Sequence, residues 1–149
     1  MTLPPLPAWA VELGATADDW RSAVRLAGRA LERSGAAQPA YADEMVRMIE
    51  EHGPYVVIAP GLALAHARPG PAVLADGLAI VTLAEPVNFG HPHNDPVSVV
   101  LGLAIKSADA HLKTVANLAN IFNDSNAIQA LAAATSVAEV QAIMAGGSE

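Results

Sequence analysis

Residues 55–68, YVVIAPGLALAHAR, restrict the fold more than any other stretch of this chain. Tyr55-Val56-Val57-Ile58-Ala59 is β-branched and apolar, which predicts a buried strand. Pro60-Gly61 predicts a type II turn, because Pro fixes φ and Gly accepts the positive φ that follows. Leu62, Ala63 and Leu64 resume an extended apolar run that ends on His66 and Arg68. In an extended segment, side chains two residues apart leave on the same side. The pair therefore suits a nucleophile beside an anion-stabilising charge. It equally suits a His and an Arg where a strand meets solvent, and H-x-R alone does not separate the two.

With 149 residues, 52% hydrophobic and 15% charged, the chain reads as a single globular domain spanning 1–149. Aromatics supply only 4%, so the core must be built from small side chains in tight layers. The absence of cysteine removes disulfides, thiolate metal sites and a Cys nucleophile, and agrees with a reducing compartment. The start, MTLPPLPAWAVELG, has neither a basic segment nor a continuous apolar one, so no secretory signal is read. The longest apolar run, Val99 to Ile105, is far short of a membrane span. A cytoplasmic location is expected. A net charge of −7 argues against nucleic acid as a partner.

Residues 1–15 predict a Pro-rich extended arm on the domain surface. Thr16 and Asp19 predict a helix start, and Trp20, Val24, Ala27 and Leu31 give that helix its buried face. Arg21, Arg25, Arg29 and Arg33 form a solvated row, and Gly35 ends the helix. Pro39 opens a second helix with Tyr41, Met45, Met48 and Ile49 inside, and His52 at its end carries no assigned chemistry. Strands are predicted at Gly77–Leu83, stopped by Glu85-Pro86, and at Val97–Ile105. Asp109 is the expected cap of a helix with Leu112, Val115, Ala119 and Phe122 inward. A short helix around Ile128 to Ala134 follows. A capping box at Ser136 and Glu139 then opens the last helix, which ends at Gly146-Gly147. Helices at both ends of a strand-rich middle imply a three-layer α/β domain.

Five histidines are available for chemistry. His111 lies at the start of a helix, where unpaired amides and a partial positive charge favour an anion such as phosphate. If the strands ending at His66 and near Ile105 are neighbours, His66 and His111 meet at one sheet edge, where ligand crevices of α/β sheets form. His91, His93 and Asp95, completed by His66 or His111, offer an alternative set of metal ligands. Two prolines in that loop, and the lack of any helix-borne H-E-x-x-H pair, weigh against it. Neither a G-x-S-x-G elbow nor a G-x-x-x-x-G-K-[ST] loop is present.

GPYVVIAPGLALAHARP (53–69), PVNFGH (86–91), NDPV (94–97) and DAHL (109–112) together resemble one family. It is the enzyme IIA domain of the bacterial sugar phosphotransferase system, in the mannitol/fructose-type superfamily, and within it the ascorbate-type branch. The likeness runs from about Trp20 to Met144. It implies a mixed β-sheet with helices on both faces. It also implies a phosphoryl relay in which His66 accepts from the carrier protein HPr and passes the group to a cysteine of enzyme IIB. The likeness further implies a membrane enzyme IIC downstream. By the same likeness His111 is the supporting histidine, and Arg68 is a candidate for stabilising the phosphoryl group. Neither a cofactor nor a metal is then required. The transported sugar is expected to be L-ascorbate or a related sugar or polyol. Ala65 departs from the family, which often has Pro before the reactive histidine. A regulatory phosphoprotein that controls a partner without transport is a second reading of the same residues. The oligomeric state is left open, with a homodimer one option.

Overall fold

The computed structural model describes residues 3–146. Its sheet contains β1 (Val11–Ala15), β2 (Val57–Ala59), β3 (Leu62–His66), β4 (Gly77–Val87) and β5 (Val97–Ala104), in the order β1-β4-β5-β3-β2. β1 and β4 run parallel, as do β3 and β5, whereas β4–β5 and β2–β3 are antiparallel. The sheet is mixed, as expected. Helices α1 (Trp20–Arg33) and α2 (Ala40–His52) belong to one layer, and α3 (Ala108–Ile121), α4 (Ser125–Ala133) and α5 (Val137–Gly146) to the other.

Alternation along the strands divides the core in two. Ala63, Ala65, Ala79, Val81 and Val100 pack with α1 and α2. Leu62, Leu64, Leu78, Ile80, Leu101 and Leu103 pack with α3 to α5. One face is therefore surfaced with small residues and the other with leucines, which explains an alanine-rich core poor in aromatics. The small face lets α1 come close: a Cβ on Gly102 would sit 3.2 Å from Ala27 Cβ and 3.3 Å from the Ala27 carbonyl oxygen. Between α1 and α2 a Cβ on Gly28 would sit 2.6 Å from Ala42 Cβ.

Several boundaries differ from the sequence reading. The expected surface arm gives up its last five residues to the sheet, where β1 pairs with β4 and Val11 and Leu13 pack on the leucine side. Helix α1 is capped by Asp19, whose carboxylate accepts from the Ser22 amide, and not by Thr16. β4 continues past Glu85-Pro86 to Val87. Its pairing with β5 is irregular between Thr82 and Val87, and a proline in such a break costs no ladder bond. The cap of α3 is Ser107, and Asp109 lies in the first turn. Its buried face runs through Thr114, Leu118 and Ile121, leaving Leu112 70% exposed and Ala119 exposed. Ser136 caps α5 by accepting from the Glu139 amide, but the Glu139 carboxylate accepts from Thr135. Gly147 lies outside the described residues.

Gly28→Ala tests the close approach. The added methyl gains about 1 kcal/mol of helix propensity, but it must displace Ala42, and overpacking of this kind costs about 1–3 kcal/mol. Chemical denaturation of the variant is expected to show a net loss of stability.

Candidate functional site

Because β3 and β5 are adjacent and parallel, both deliver their C-terminal ends to one edge of the sheet. His66, the last residue of β3, is registered with Leu103 of β5, and α3 begins four residues after β5 ends. The turn that starts β3 is held at the opposite end. Gly61 takes the positive φ, 82°, that the predicted turn requires, and it donates its amide to the Asn94 carbonyl. Ala65 sits mid-strand opposite Gly102, so the ladder rather than a proline fixes the backbone before His66.

At this edge the His66 and His111 rings lie 5.1 Å apart, tilted by 51°. Tyr55 stands edge-on to His66 at 5.7 Å on another side. A cavity of about 500 Å³ is lined by these three residues together with Met48, His52, Arg68 and Leu112. His66, His111 and Arg68 are therefore brought together, as the sequence suggested.

His66 Nδ1 is 2.8 Å from the Leu64 carbonyl oxygen. A carbonyl can only accept, so in the neutral ring Nδ1 carries the proton and Nε2 holds the lone pair. Nε2 has no hydrogen-bond partner among the described residues and is not buried. Burial holds the His66 pKa below the ordinary histidine value, with the Leu64 carbonyl opposing the shift. His111 is the fourth residue of α3, so its amide already bonds the Ser107 carbonyl. The amides of Ala108 and Asp109 in the first turn have no partner among the described residues. His111 Nδ1 is buried without a partner. An orphaned lone pair is less costly than an orphaned N–H, so the His111 proton belongs on Nε2. Burial, and then the charge of His66, lower its pKa.

Arg68 forms no ion pair among the described residues. It acts on Tyr55, whose hydroxyl pKa is raised by burial and pulled back by the Arg68 charge. The other arginines of the sequence reading behave as a solvated row: Arg21, Arg25 and Arg33 pair with Glu50, Asp43 and Glu12. Such exposed pairs contribute at most about 1 kcal/mol each.

Several site residues escaped the sequence reading: Tyr55, Met48 and Leu112 line the cavity but were read only as strand or helix residues, and two more stand out. His52, assigned no chemistry there, forms part of the cavity wall, 6.4 Å from Tyr55. Tyr41, read only as a buried helix residue, donates its hydroxyl to the Leu103 carbonyl at 2.6 Å and accepts from the Ala67 amide at 3.0 Å. A phenol on an otherwise apolar helix face was the available signal, since a buried Tyr hydroxyl needs partners. His91, His93 and Asp95 lie away from the cavity. Asp95 accepts the amides of Phe89, Gly90 and His91, and His91 Nδ1 accepts those of His93 and Asn94. The side chains of Asp95 and His91 thus hold their own loop. No three such side chains gather for a metal among the described residues.

The lowered pKa values set a sign for stability against pH. Below the ordinary histidine value of 6.5 the unfolded chain takes up protons that folded His66 and His111 resist. Their contribution is complete above that pH and is lost as pH falls through the folded values. Thermal denaturation is expected to show a decrease on acidification from pH 7 that is smaller in a His66→Gln/His111→Gln variant.

Residues 6–146 match the family described as "Phosphoenolpyruvate-dependent sugar phosphotransferase system, EIIA 2". The chain is 35% identical over 131 residues to the ascorbate-specific PTS system EIIA component of Shigella boydii, covering 87% of this chain and 85% of that one. It superposes with TM-score 0.83 and 28% identity on enzyme IIA-Mtl in its complex with phosphorylated enzyme IIB-Mtl from Escherichia coli, covering 95% and 98% of the two chains. The nitrogen regulatory protein IIA-Ntr from Neisseria meningitidis gives a TM-score of 0.80 at 27% identity, covering 93% and 95%. A described core of sheet and helices, a matched stretch of 141 residues and relatives at this identity agree: the chain belongs to the PTS EIIA 2 family and has the α/β fold of mannitol-type IIA domains.

Proposed function

We propose that the protein is a phosphoryl carrier in which His66 Nε2 accepts the group from phosphorylated HPr and passes it to a cysteine of an enzyme IIB. The observation that carries this reading is the 2.8 Å contact between His66 Nδ1 and the Leu64 carbonyl. It keeps the proton off Nε2 and leaves that lone pair without a partner among the described residues. Attack by Nε2 on phosphorus forms the P–N bond as the bond to the donor breaks, and the reverse exchange with a thiolate clears the ring. Nδ1–H stays on the Leu64 carbonyl throughout, so the ring is oriented without gaining or losing a proton there.

Phosphoryl transfer needs positioning and charge stabilisation more than covalent chemistry. His111 Nε2–H, the Arg68 guanidinium and the free amides of Ala108 and Asp109 can supply donors to the equatorial oxygens. A neutral nucleophile is required, and the lowered pKa of His66 keeps it neutral at cytosolic pH. The likeness to an ascorbate-specific component favours L-ascorbate or a related sugar or polyol as the solute of the system, with a membrane enzyme IIC downstream. The likeness to a nitrogen regulatory IIA favours the second reading, control of a partner by phosphorylation state. Transfer onward to a IIB cysteine distinguishes the two.

With phosphoenolpyruvate, enzyme I and HPr, the chain is expected to gain one acid-labile phosphate by mass spectrometry. His66→Ala should abolish it, and unchanged labelling would refute the assignment. Single substitutions His111→Ala and Arg68→Ala are expected to slow labelling by about 10²-fold while leaving its site unchanged.

A further inference from the structure

Tyr41 is wholly buried in α2, yet its hydroxyl reaches across to the two strands that carry the site. It accepts from the amide of Ala67, the residue directly after His66, at 3.0 Å. It donates to the carbonyl of Leu103, the residue registered beside His66 on β5, at 2.6 Å. Beyond His66 the β3–β5 ladder stops, and the hydroxyl bridges the strands at that point. His66 is thus held twice on its own strand: by Leu64 through the ring and by Tyr41 through the following peptide. Helix α2 also carries Met48 and His52 into the cavity wall, so one helix fixes both the strand end and one wall of the site.

We infer that Tyr41 is a positioning residue whose hydroxyl bridge between Ala67 and Leu103 sets the backbone from which the His66 imidazole is presented. The inference rests on the reading of His66 as the phosphoryl acceptor, but its first readout does not. A ring hydrogen bond two residues back along the strand is satisfied only over a narrow range of backbone and χ angles, because such bonds weaken steeply with angle. Freeing the Ala67 peptide widens that range, and the ring then samples the tautomer with the proton on Nε2, which cannot attack. Burial pushes the Tyr41 pKa up to about 12, so the bridge keeps its proton at every pH at which the protein works.

The test uses Tyr41→Phe, which removes one oxygen and leaves the ring, with Met45→Ala as a control. Met45 is buried on the same helix and makes no polar contact with the strands. Long-range proton–nitrogen NMR of the unphosphorylated proteins reads the His66 tautomer, and labelling by phosphorylated HPr reads the rate. Tyr41→Phe is expected to show a mixed His66 tautomer and to slow labelling by about tenfold or more, while Met45→Ala lowers thermal stability with the tautomer unchanged. A single Nδ1–H tautomer in Tyr41→Phe, or an equal tautomer change in Met45→Ala, overturns the inference. If no variant, nor the natural chain, accepts phosphate while the tautomer responds as stated, the phosphocarrier reading fails and the positioning role stands. Should Tyr41→Phe not fold, the natural chain decides: a Tyr41 hydroxyl proton protected from exchange and close to the Ala67 amide supports the bridge, and a freely exchanging one overturns it.

Discussion

The parallel pairing of β3 with β5 is the constraint on which the site depends. Strands that run the same way must be joined by a crossover, and here β4 and its flanking loops intervene between them. Both strands then leave the sheet at one edge. There the last residue of β3 is His66, and the chain leaving β5 turns at once into α3, which carries His111 in its first turns. Had β3 been antiparallel to β5, the two histidines would stand at opposite ends of the sheet. The 5.1 Å between their rings is thus a consequence of strand direction.

Close packing keeps that edge in place. The α1 side of the sheet is surfaced with Ala63, Ala65, Ala79 and Gly102, so α1 rests nearly on the backbone of β5 at Gly102, the residue registered with Ala65. The opposite face is filled by leucines against α3 to α5. Burying one such leucine contributes about 1.5–3 kcal/mol, which makes that face the source of apolar driving force. The small-residue face contributes closeness instead.

The features legible in the sequence were the local ones. Pro60-Gly61 predicted a turn, and Gly61 takes the positive φ that such a turn needs. The β-branched runs predicted strands, although the buried strand read over 55–59 shortens to β2 with Tyr55 and Ile58 exposed. His66 and Arg68 at a strand end and His111 at a helix start are three of the residues that line the cavity. What could not be read depended on pairing at a distance. Pro86 looks like a strand end until the irregular β4–β5 pairing shows that it interrupts no ladder. Residues 11–15 lack strand character until β4 lies beside them. Tyr41 and its partner Leu103 are 62 residues apart, and nothing local connects them. His91 and Asp95 were plausible ligands by spacing, yet their lone pairs are taken up by the amides of their own loop.

A cavity with one permanent cation among its described lining residues, Arg68, set in a chain of net charge −7, fixes how an anion is met. At physiological ionic strength charges are screened beyond about 8 Å. Beyond that range the negative charge of the molecule is screened as well, so an anion in solution is neither repelled nor drawn in, and only within it does the anion meet the guanidinium. Arg68 therefore acts as a contact group and not as a collector: it holds an anion already at the cavity mouth and adds little to the rate at which one arrives.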